Sequence, residues 1–341
     1  MEEKSATRAS KPPEFAPFRV GRQVVYEKIG EGGMAEIFLA QRWAGVGGTQ
    51  RIVLKRLLKH FAEDPGLVKA LVNEAKVASR VSSGNIAQVM GLEEHEGTVY
   101  IAMEYVEGLD LSHLLRLFSK HGLRVPVAFV FHVVTGLLNG VEAVHRAKDE
   151  SGRELGLVHL DISPGNILVS FEGEVKLCDF GIARSTARGI LDRARARVQG
   201  KFSYMSPEQA RGDELDHRSD IYTSGIVMWE LLAGRKMYKA ADPGEVWRMA
   251  VKADVPQLPD RGLPDYQGLH RILSKALRLE PGHRYESAKD FHEAVNDYVH
   301  RNAIVLSQIE IGRFLSENFA EDIVEVRRER ERLMGALAPL E

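Results

Sequence analysis

The stretch from residue 158 to residue 181 decides the fold class. It reads VHLDISPGNILV at 158–169 and, after a short gap, VKLCDFG at 175–181. The second run has the pattern of a short apolar strand that ends in Asp-Phe-Gly. Three oxygen-bearing side chains, Asp161, Asn166 and Asp179, stand in these runs at a spacing that unrelated polar surface turns would rarely reproduce.

The chemistry of these three side chains suits phosphoryl transfer. That reaction needs positioned metal ions to neutralise phosphate charge and one carboxylate to receive the proton of the attacking hydroxyl. Asp161 stands where the proton acceptor belongs, and Asn166 and Asp179 are oxygen ligands suited to Mg²⁺. The sequence therefore predicts a catalytic loop followed by a metal-binding strand end.

A glycine cluster and a lysine lie upstream in the matching order. Residues 30–35 read GEGGMA between two strand candidates, and small residues let backbone N–H groups approach phosphate oxygens. A glycine-rich hairpin turn is the alternative reading, and a dinucleotide fingerprint is excluded because a strand follows. Lys55 ends the apolar strand IVLK at 52–55 and needs an anion. Glu74, on the next predicted helix, and nucleotide phosphates are natural partners.

Composition excludes several other classes. The chain has 341 residues, 44% hydrophobic and 28% charged, and 46 basic against 48 acidic side chains leave a net charge of −2. This balance offers no field for nucleic acid or an anionic membrane. The single cysteine, Cys178, excludes a disulfide framework and a cysteine-ligated zinc site. We read it as a small buried hydrophobe, with a reactive thiol as the alternative.

The order of patterns predicts an α+β, bilobal chain. Strand candidates at 24–29, 37–41, 51–56, 87–92 and 98–104 surround one helix at 64–80, and helical patterns dominate from residue 109. We expect a flexible N-terminal arm at 1–20, a domain at 21–300 with a boundary between 106 and 107, and an amphipathic helical appendage at 301–341. The stripe of that appendage consists of Leu315, Phe319, Ile323 and Val326.

We expect no membrane span and a cytoplasmic location. The longest uncharged stretch, Val125–Val141, falls short of a spanning helix at 17 residues and is better read as a buried helix. The N-terminus shows no apolar segment of a secretory signal.

With these motifs in place, the chain resembles a eukaryotic-type (Hanks-type) bacterial protein Ser/Thr kinase, most similar to the myxobacterial type, from about residue 24 to residue 300. The family landmarks are a glycine loop, a strand lysine, a helix glutamate, HRDxxxxN, DFG, APE, a DxxxxG helix start and a late arginine. They fall on residues 30–35, Lys55, Glu74, 159–166, 179–181, 206–208, 220–225 and Arg284.

The resemblance implies a bilobal protein-kinase fold, an ATP-dependent Ser/Thr kinase activity and protein substrates. The cofactors would be ATP and Mg²⁺, with Mn²⁺ possible. Asp161 would accept the substrate proton, Glu74 would hold Lys55, Asn166 and Asp179 would bind the metal, and Glu208 would pair with Arg284. The nucleotide pocket would comprise Ile29, Gly30, Glu31, Gly32, Gly33, Met34, Ala35, Ile37, Val53, Lys55, Met103, Glu104, Val106 and Leu168.

Four positions depart from the family pattern. Ala35 replaces the third loop glycine, and Leu160 replaces the HRD arginine. Ser163 replaces the catalytic-loop lysine, while Lys201 replaces the threonine that would bond to it. The last two look reciprocal, so we hypothesise that Lys201 supplies the lost positive charge from the opposite side. A solvent-facing Lys201 is the alternative.

Leu160 also predicts an unusual form of regulation. In the family, the HRD arginine grips a phosphate on the activation loop. Between Thr186 and Ser203 this chain has no Ser, Thr or Tyr. The loop carries instead arginines at 184, 188, 193, 195 and 197. We therefore predict that activity does not require activation-loop phosphorylation. The arginines either bind an acidic partner or belong to a solvated loop.

Two other functions stay open. Leu160 and Ser163 motivate a nucleotide-binding pseudokinase that acts as a scaffold. A small-molecule kinase would share the HxDxxPxN run at 159–166, but such enzymes usually lack the segment 200–209 and a long activation segment. We also expect that a regulatory protein could bind through the C-terminal helix.

Overall fold

The fold comes from a computed structural model that describes residues 16–31, 35–43, 48–179, 201–305 and 307–335. Its first half is a six-stranded antiparallel sheet flanked by helices. The strands are β1 (Phe18–Val20), β2 (Gln23–Glu31), β3 (Ala35–Trp43), β4 (Thr49–Leu57), β5 (Val89–His95) and β6 (Thr98–Glu104), in the order β1-β2-β3-β4-β6-β5. The helices are α1 (Lys59–Ala62) and α2 (Pro65–Ala78).

Strand register places one row of side chains on the face toward the second lobe. Ile37 pairs with Lys55 across β3 and β4, and Val53 pairs with Met103 across β4 and β6. Because side chains alternate along a strand, Lys55 and Val53 share a face. The opposite face carries its own buried cluster, which includes Phe38, Leu54 and Tyr100.

The second half is mainly helical. A small sheet of β7 (Gly108–Asp110), β8 (Ile167–Ser170) and β9 (Val175–Leu177) lies at its upper edge, in the order β7-β8-β9. The helices are α3 (Leu111–Lys120), α4 (Val127–His145), α5 (Pro207–Arg211), α6 (Arg218–Ala233), α7 (Pro243–Lys252), α8 (Tyr266–Ala276) and α9 (Ala288–Arg301). Contacts of α4 with α6, α9 and β9 build the core of this lobe.

The structure confirms the α+β, two-lobed class and corrects two expected boundaries. Residues Phe18–Val20, expected in the flexible arm, form β1 and pair with β2, with Val20 fully buried. Three residues are too few for a periodicity signal, so only the pairing with β2 defines this strand. The strand expected at 87–92 begins at Val89 instead, because Ala87 bonds to the backbone of Leu177 in the other lobe.

The C-terminal stripe packs within the chain. It spans two helices, α10 (Gln308–Asn318) and α11 (Ala320–Gly335), rather than one. Leu315, Phe319 and Ile323 are buried, and Val326 is half-buried. The appendage therefore covers its apolar face with the rest of the chain.

Among the described residues, helix α4 is long and apolar enough to cross a membrane by length and composition. However, 61% of its most apolar window is buried inside the protein. Eleven of its residues belong to the buried set that packs against the other helices. It is therefore accounted for as the core helix of the second lobe.

Candidate active site

The centre of the interlobe cleft is an ion pair between two predicted site residues. Lys55 Nζ on β4 lies 2.9 Å from Asp179 Oδ1, just after β9. Both side chains are largely withdrawn from solvent, with 14% and 30% of their surfaces exposed. Register places Lys55 opposite Ile37, so the strand pairing itself aims the lysine into the cleft. Asp179 has a positive φ of 59°, a left-handed conformation that turns its carboxylate out of the line of the strand.

Several predicted site groups lie outside the described part of the chain. These are Gly32, Gly33, Met34, Phe180, Gly181 and the arginine-bearing activation segment up to Gly200. Helix α2 carries Glu74 and a short 3-10 turn, Lys201–Tyr204, carries Lys201, but both side chains also lie outside it. The pairing of Lys55 with Glu74 and the placement of the Lys201 charge stay predictions.

The Asp161 carboxylate is fixed by the other end of the catalytic loop. Asn166 Nδ2 donates to the Asp161 backbone oxygen over 2.7 Å and to its Oδ2 over 3.1 Å. Backbone N–H of Cys178 donates to the Asn166 carbonyl over 2.9 Å, which joins the loop to the strand before Asp179. The structure thus brings Asp161, Asn166 and Asp179 to one place. Cys178 is buried, and burial raises the pKa of its thiol well above the usual range.

A buried aspartate on α6 anchors the start of this loop. Asp220 accepts hydrogen bonds from the backbone N–H of His159 (2.7 Å) and of Leu160 (2.8 Å). His145 Nε2 lies 2.8 Å from the same carboxylate. Burial alone would raise the pKa of Asp220, but the hydrogen bond and charge of His145 hold it below its usual range. The loop is therefore held by a carboxylate inside the second lobe.

His159 links the loop to the segment that leads to Asp179. Its Nδ1 accepts the Asp161 backbone N–H over 3.3 Å, so its Nε2 is the protonated nitrogen that donates to the Cys178 carbonyl over 3.1 Å. This arrangement needs the neutral imidazole. Complete burial agrees with it, because burial lowers the pKa of His159 below its usual range.

Leu160, which replaces the arginine of the family pattern, is held by two hydrogen bonds to its backbone. Gln209 Nε2 donates to the Leu160 carbonyl over 3.0 Å, while the Leu160 N–H is bonded to Asp220. Its φ of 61° is left-handed, which is costly for a leucine and requires such restraints.

The apolar residues predicted for the nucleotide pocket are buried or partly buried. Val53, Met103, Val106 and Leu168 all belong to or pack against the main buried cluster, and Ile29 packs against a smaller cluster under β2 and β3. Gly30, Glu31 and Ala35 lie on those two strands, and Ile37 is half-buried beside Lys55. Val53, Met103, Val106 and Leu168 thus share one buried cluster that spans both lobes, and their joint contact with a nucleotide stays a prediction.

Glu104, the first residue of the predicted hinge, has two structural partners. Its carboxylate accepts from Lys176 Nζ on β9 (2.9 Å) and from the Gln88 backbone N–H (3.1 Å). The Glu104 backbone N–H in turn donates to the Gln88 carbonyl over 2.8 Å. These contacts fix the linker between the lobes.

The structure confirms the expected ion pair between Glu208 and Arg284. Two parallel hydrogen bonds, of 2.6 and 2.8 Å, join the guanidinium to the carboxylate, and both side chains are buried. The Ser219 hydroxyl adds a third donor to Glu208 over 2.7 Å. This pair anchors the segment after the activation loop to the lower lobe.

A model of the protein kinase domain matches residues 23–304 of this chain. The chain belongs to the protein kinase family. Members of this family use ATP and a divalent metal ion. The two-lobed architecture also matches the crystal structure of the Mycobacterium tuberculosis PknI kinase domain, with a TM-score of 0.59 and 26% identity over 82% of this chain and 98% of that one.

Curated bacterial kinases are similar over most of the chain. The tyrosine-protein kinase MasK of Myxococcus xanthus is 35% identical over 93% of this chain and 48% of its own length. The serine/threonine-protein kinase PrkC of Bacillus subtilis is 31% identical over 79% of this chain and 39% of its own. The serine/threonine-protein kinase pkn3 of Myxococcus xanthus is 32% identical, over 80% and 50%. The chain thus spans about half the length of these relatives, or less.

Sequence reasoning missed a polar cluster at the end of the 3-10 turn Lys201–Tyr204. Tyr204 donates to Glu230 Oε2 over 2.6 Å, and Lys236 contacts both of them. Glu230 Oε1 accepts the backbone N–H of Met237 over 2.9 Å. Burial and the Glu230 charge raise the pKa of Tyr204 far above its usual range. Only the three-dimensional approach of 204, 230 and 236 could reveal the cluster.

Proposed function

We propose that this chain is a protein kinase that transfers the γ-phosphate of ATP to serine and threonine hydroxyls of proteins. The observation that carries the proposal is the cleft in which Lys55 contacts Asp179 while Asn166 holds the Asp161 carboxylate. Phosphoryl transfer needs three kinds of group: a cation for the phosphates, a carboxylate for the proton and oxygen ligands for a metal ion.

The donor set fits Mg²⁺, with Mn²⁺ as a second candidate. Asp179 offers carboxylate oxygens, and Asn166 directs its amide N–H groups to Asp161, which leaves its amide oxygen for another partner. Hard divalent cations prefer such oxygen ligands. When bound, the metal would supply positive charge that offsets the charge of the reacting phosphates.

Each catalytic side chain would have one role in the reaction. Lys55, supported by Glu74, would orient the α- and β-phosphates. Asp161 would accept the proton of the acceptor hydroxyl as its oxygen bonds to the γ-phosphorus. The bond between that phosphorus and the β–γ bridging oxygen breaks, and ADP leaves. The glycine loop at 30–35 and the hinge from Glu104 to Val106 would hold the nucleotide.

The catalytic loop would be ready without a phosphate on the activation segment. In kinases whose HRD arginine grips that phosphate, phosphorylation orders the loop. Here Leu160 cannot make that contact, and its backbone is already bonded to Asp220 and Gln209. These internal bonds support activity that does not depend on activation-loop phosphorylation.

Lys201 would supply the charge that Ser163 has lost. The 3-10 turn Lys201–Tyr204 follows the activation segment directly, and Phe202 within it is buried. Lys201 is therefore the first residue of a turn whose second residue is buried. From there its ammonium would approach Asp161 and the γ-phosphate.

The proposal includes partners and a location. The substrates would be proteins, nucleic acid would not be a partner, and the chain would act in the cytoplasm. A regulatory protein that used the C-terminal helices would contact their outer face, because the inner stripe of Leu315, Phe319 and Ile323 packs within the chain.

The deciding experiment is transfer of labelled γ-phosphate from ATP to acceptor peptides in the presence of Mg²⁺. The peptides offer Ser and Thr in one pool and Tyr in another, since MasK bears the name of a tyrosine kinase and PrkC that of a serine/threonine kinase. Asp161→Asn is the control. Transfer to Ser and Thr by the wild type, lost in the control, supports the proposal.

A second candidate function is a nucleotide-binding pseudokinase. Leu160 and Ser163 favour it, because both replace residues that act on phosphates in related enzymes. In that case the wild type would bind ATP and transfer no more phosphate than the Asp161→Asn variant does.

A further inference from the structure

The C-terminal helices α10 and α11 lie beyond the matched kinase domain and touch both lobes. We propose that they form a brace behind the hinge, in which Arg327 is a positioning residue for nucleotide binding. The proposal rests on the proposed function, because it assigns the brace to the nucleotide cleft of that same site. Three contacts along the two helices and a direct contact of α11 with β2 support it.

The first contact is a close backbone approach between α10 and the turn after β8. A side chain on Gly312 would lie 2.9 Å from the Glu172 carbonyl carbon, so only glycine fits there. Gly173, with a φ of 85°, faces the same helix, and a Cβ on it would overlap the Gln308 carbonyl oxygen. Two glycines that meet in this way fix the position of α10 on the second lobe.

The second contact fixes the start of α11. Phe319, between the two helices, packs edge-on against Phe118 of α3, with ring centroids 5.2 Å apart. Asp322 lies 2.8 Å from Lys120 Nζ and 2.9 Å from His121 Nε2 at the end of that same helix. The hydrogen bond from Lys120 contributes most to holding the pKa of Asp322 below its usual range. Helix α11 is therefore oriented by an aromatic contact and two polar ones.

The third contact reaches the hinge. Arg327 Nε donates to Glu107 Oε1 over 2.7 Å, and its guanidinium lies 5.6 Å from the centre of the Phe171 ring. The Glu107 backbone carbonyl accepts the Phe171 N–H over 2.9 Å. Arg51 of β4 approaches the other Glu107 oxygen at 3.7 Å. Glu107, one residue beyond the expected hinge, thus links α11 to β4 of the upper lobe and to the residue that follows β8 in the lower lobe.

Helix α11 also contacts β2 directly. That strand carries Ile29 and Gly30, which are predicted to cover the nucleotide. An element that is docked on the lower lobe and touches the upper lobe restricts the hinge between them. If the hinge is already restricted before the nucleotide binds, less conformational entropy is lost on binding. Loss of the brace should therefore raise the Kd for the nucleotide.

The test measures the Kd for a fluorescent ATP analogue in the Asp161→Asn background, where no turnover interferes. Arg327→Ala is compared with Arg328→Ala, an exposed arginine next to it that makes no ion pair among the described residues. We expect Arg327→Ala to raise Kd about threefold or more and Arg327→Lys to recover most of it, since an exposed ion pair contributes modestly. The difference should shrink in about 0.5 M salt, where exposed charges are screened.

A second variant removes the brace as a whole. Gly312→Val cannot keep the close approach to Glu172, and we expect it to weaken analogue binding on the order of tenfold. Equal Kd values for Arg327→Ala and Arg328→Ala, or a Gly312→Val variant that exposes 306–335 to protease yet binds normally, would overturn the proposal.

Hydrogen exchange separates this proposal from the proposed function. Backbone amides of residues 104–108 should exchange faster in Arg327→Ala than in Arg328→Ala, whether or not nucleotide is added. If the wild type bound no nucleotide, the proposed function would fail, and unchanged exchange at the hinge would independently overturn the brace.

Discussion

Lys55 donates a hydrogen bond of 2.9 Å to Asp179 across 124 residues of sequence. The contact joins the central strand of the upper lobe to the end of β9 in the lower lobe. It sets the proposed phosphate-binding cation beside the proposed metal-binding carboxylate, and the catalytic loop holds Asp161 near them.

The first prediction concerns Lys55 itself. Lys55→Met keeps the length of the side chain but removes the charge that would orient the phosphates, so kcat/KM should fall on the order of a hundredfold or more. Steady-state kinetics with a Ser/Thr peptide checks this. Lys69→Met, at an exposed position of α2, is the matched control and should keep wild-type kinetics. Equal activity in the two variants would remove Lys55 from the mechanism.

A second prediction concerns the stability of the lower lobe. Arg284→Ala leaves the buried Glu208 carboxylate without its bidentate partner, which should lower the free energy of unfolding by about 3–5 kcal/mol. Urea denaturation measures the change. Arg271→Ala, an exposed arginine on α8, should alter it little. A loss as small as that of the control would show that the pair contributes little.

Acid should weaken this same pair. Burial alone would raise the pKa of Glu208, but the hydrogen bonds and charge of Arg284 hold it below its usual value of 4.5. A carboxyl whose folded pKa is depressed stabilises the fold above its unfolded pKa and loses that contribution as pH falls through the folded value. The stability difference between wild type and Glu208→Gln should thus be constant near neutral pH and shrink below about pH 4.5. A difference that grew on acidification would contradict this assignment.

The reciprocal substitution at 163 and 201 is tested by reversing it. Lys201→Ala should lower kcat by an amount equivalent to about 3 kcal/mol, because preorganised charge near the γ-phosphate stabilises the transition state. Adding Ser163→Lys to Lys201→Thr recreates the family pair and should recover part of that loss. If Lys201→Ala and Lys201→Thr both kept wild-type turnover, the hypothesis would be withdrawn.

Regulation gives the fifth prediction. Ser185→Ala and Thr186→Ala should keep kcat within about twofold of wild type, because no HRD arginine is present to read a phosphate on that segment. Phosphatase treatment, followed by intact-mass measurement and a peptide assay, checks the same point on the unaltered protein. A phosphorylated site at either residue whose alanine variant is inactive would contradict the prediction.

Local motifs predicted the fold class and the grouping of the candidate site residues, whereas contacts between residues distant in sequence were predicted only where the family pattern supplies them. The spacing of Asp161, Asn166 and Asp179 pointed to one site, and the structure brings them together. The sequence offered Glu74 as a partner for Lys55 but gave no sign of its contact with Asp179, since nothing local encodes an approach over 124 residues. The ion pair between Glu208 and Arg284 was predicted, because both residues match positions that pair in the family pattern.

The C-terminal helices show the same limit. Periodicity found the stripe from Leu315 to Val326 but left open whether it packs on the lower lobe or on a partner helix. The break at Phe319, the glycine contact at Gly312 and the bond from Arg327 to Glu107 depend on surfaces that residues 107–173 create only after folding. Amphipathic patterns encode a buried face, not the surface that covers it.

The most direct test of the account is phosphate transfer from labelled ATP by the wild type and by Asp161→Asn, measured together with nucleotide affinity. We expect the wild type to phosphorylate Ser or Thr peptides in Mg²⁺. The variant should bind nucleotide with similar affinity and lose transfer by on the order of a thousandfold, because only the proton acceptor is removed. Nucleotide binding by both proteins with no transfer above the variant's level would contradict the account and assign the chain to the pseudokinases.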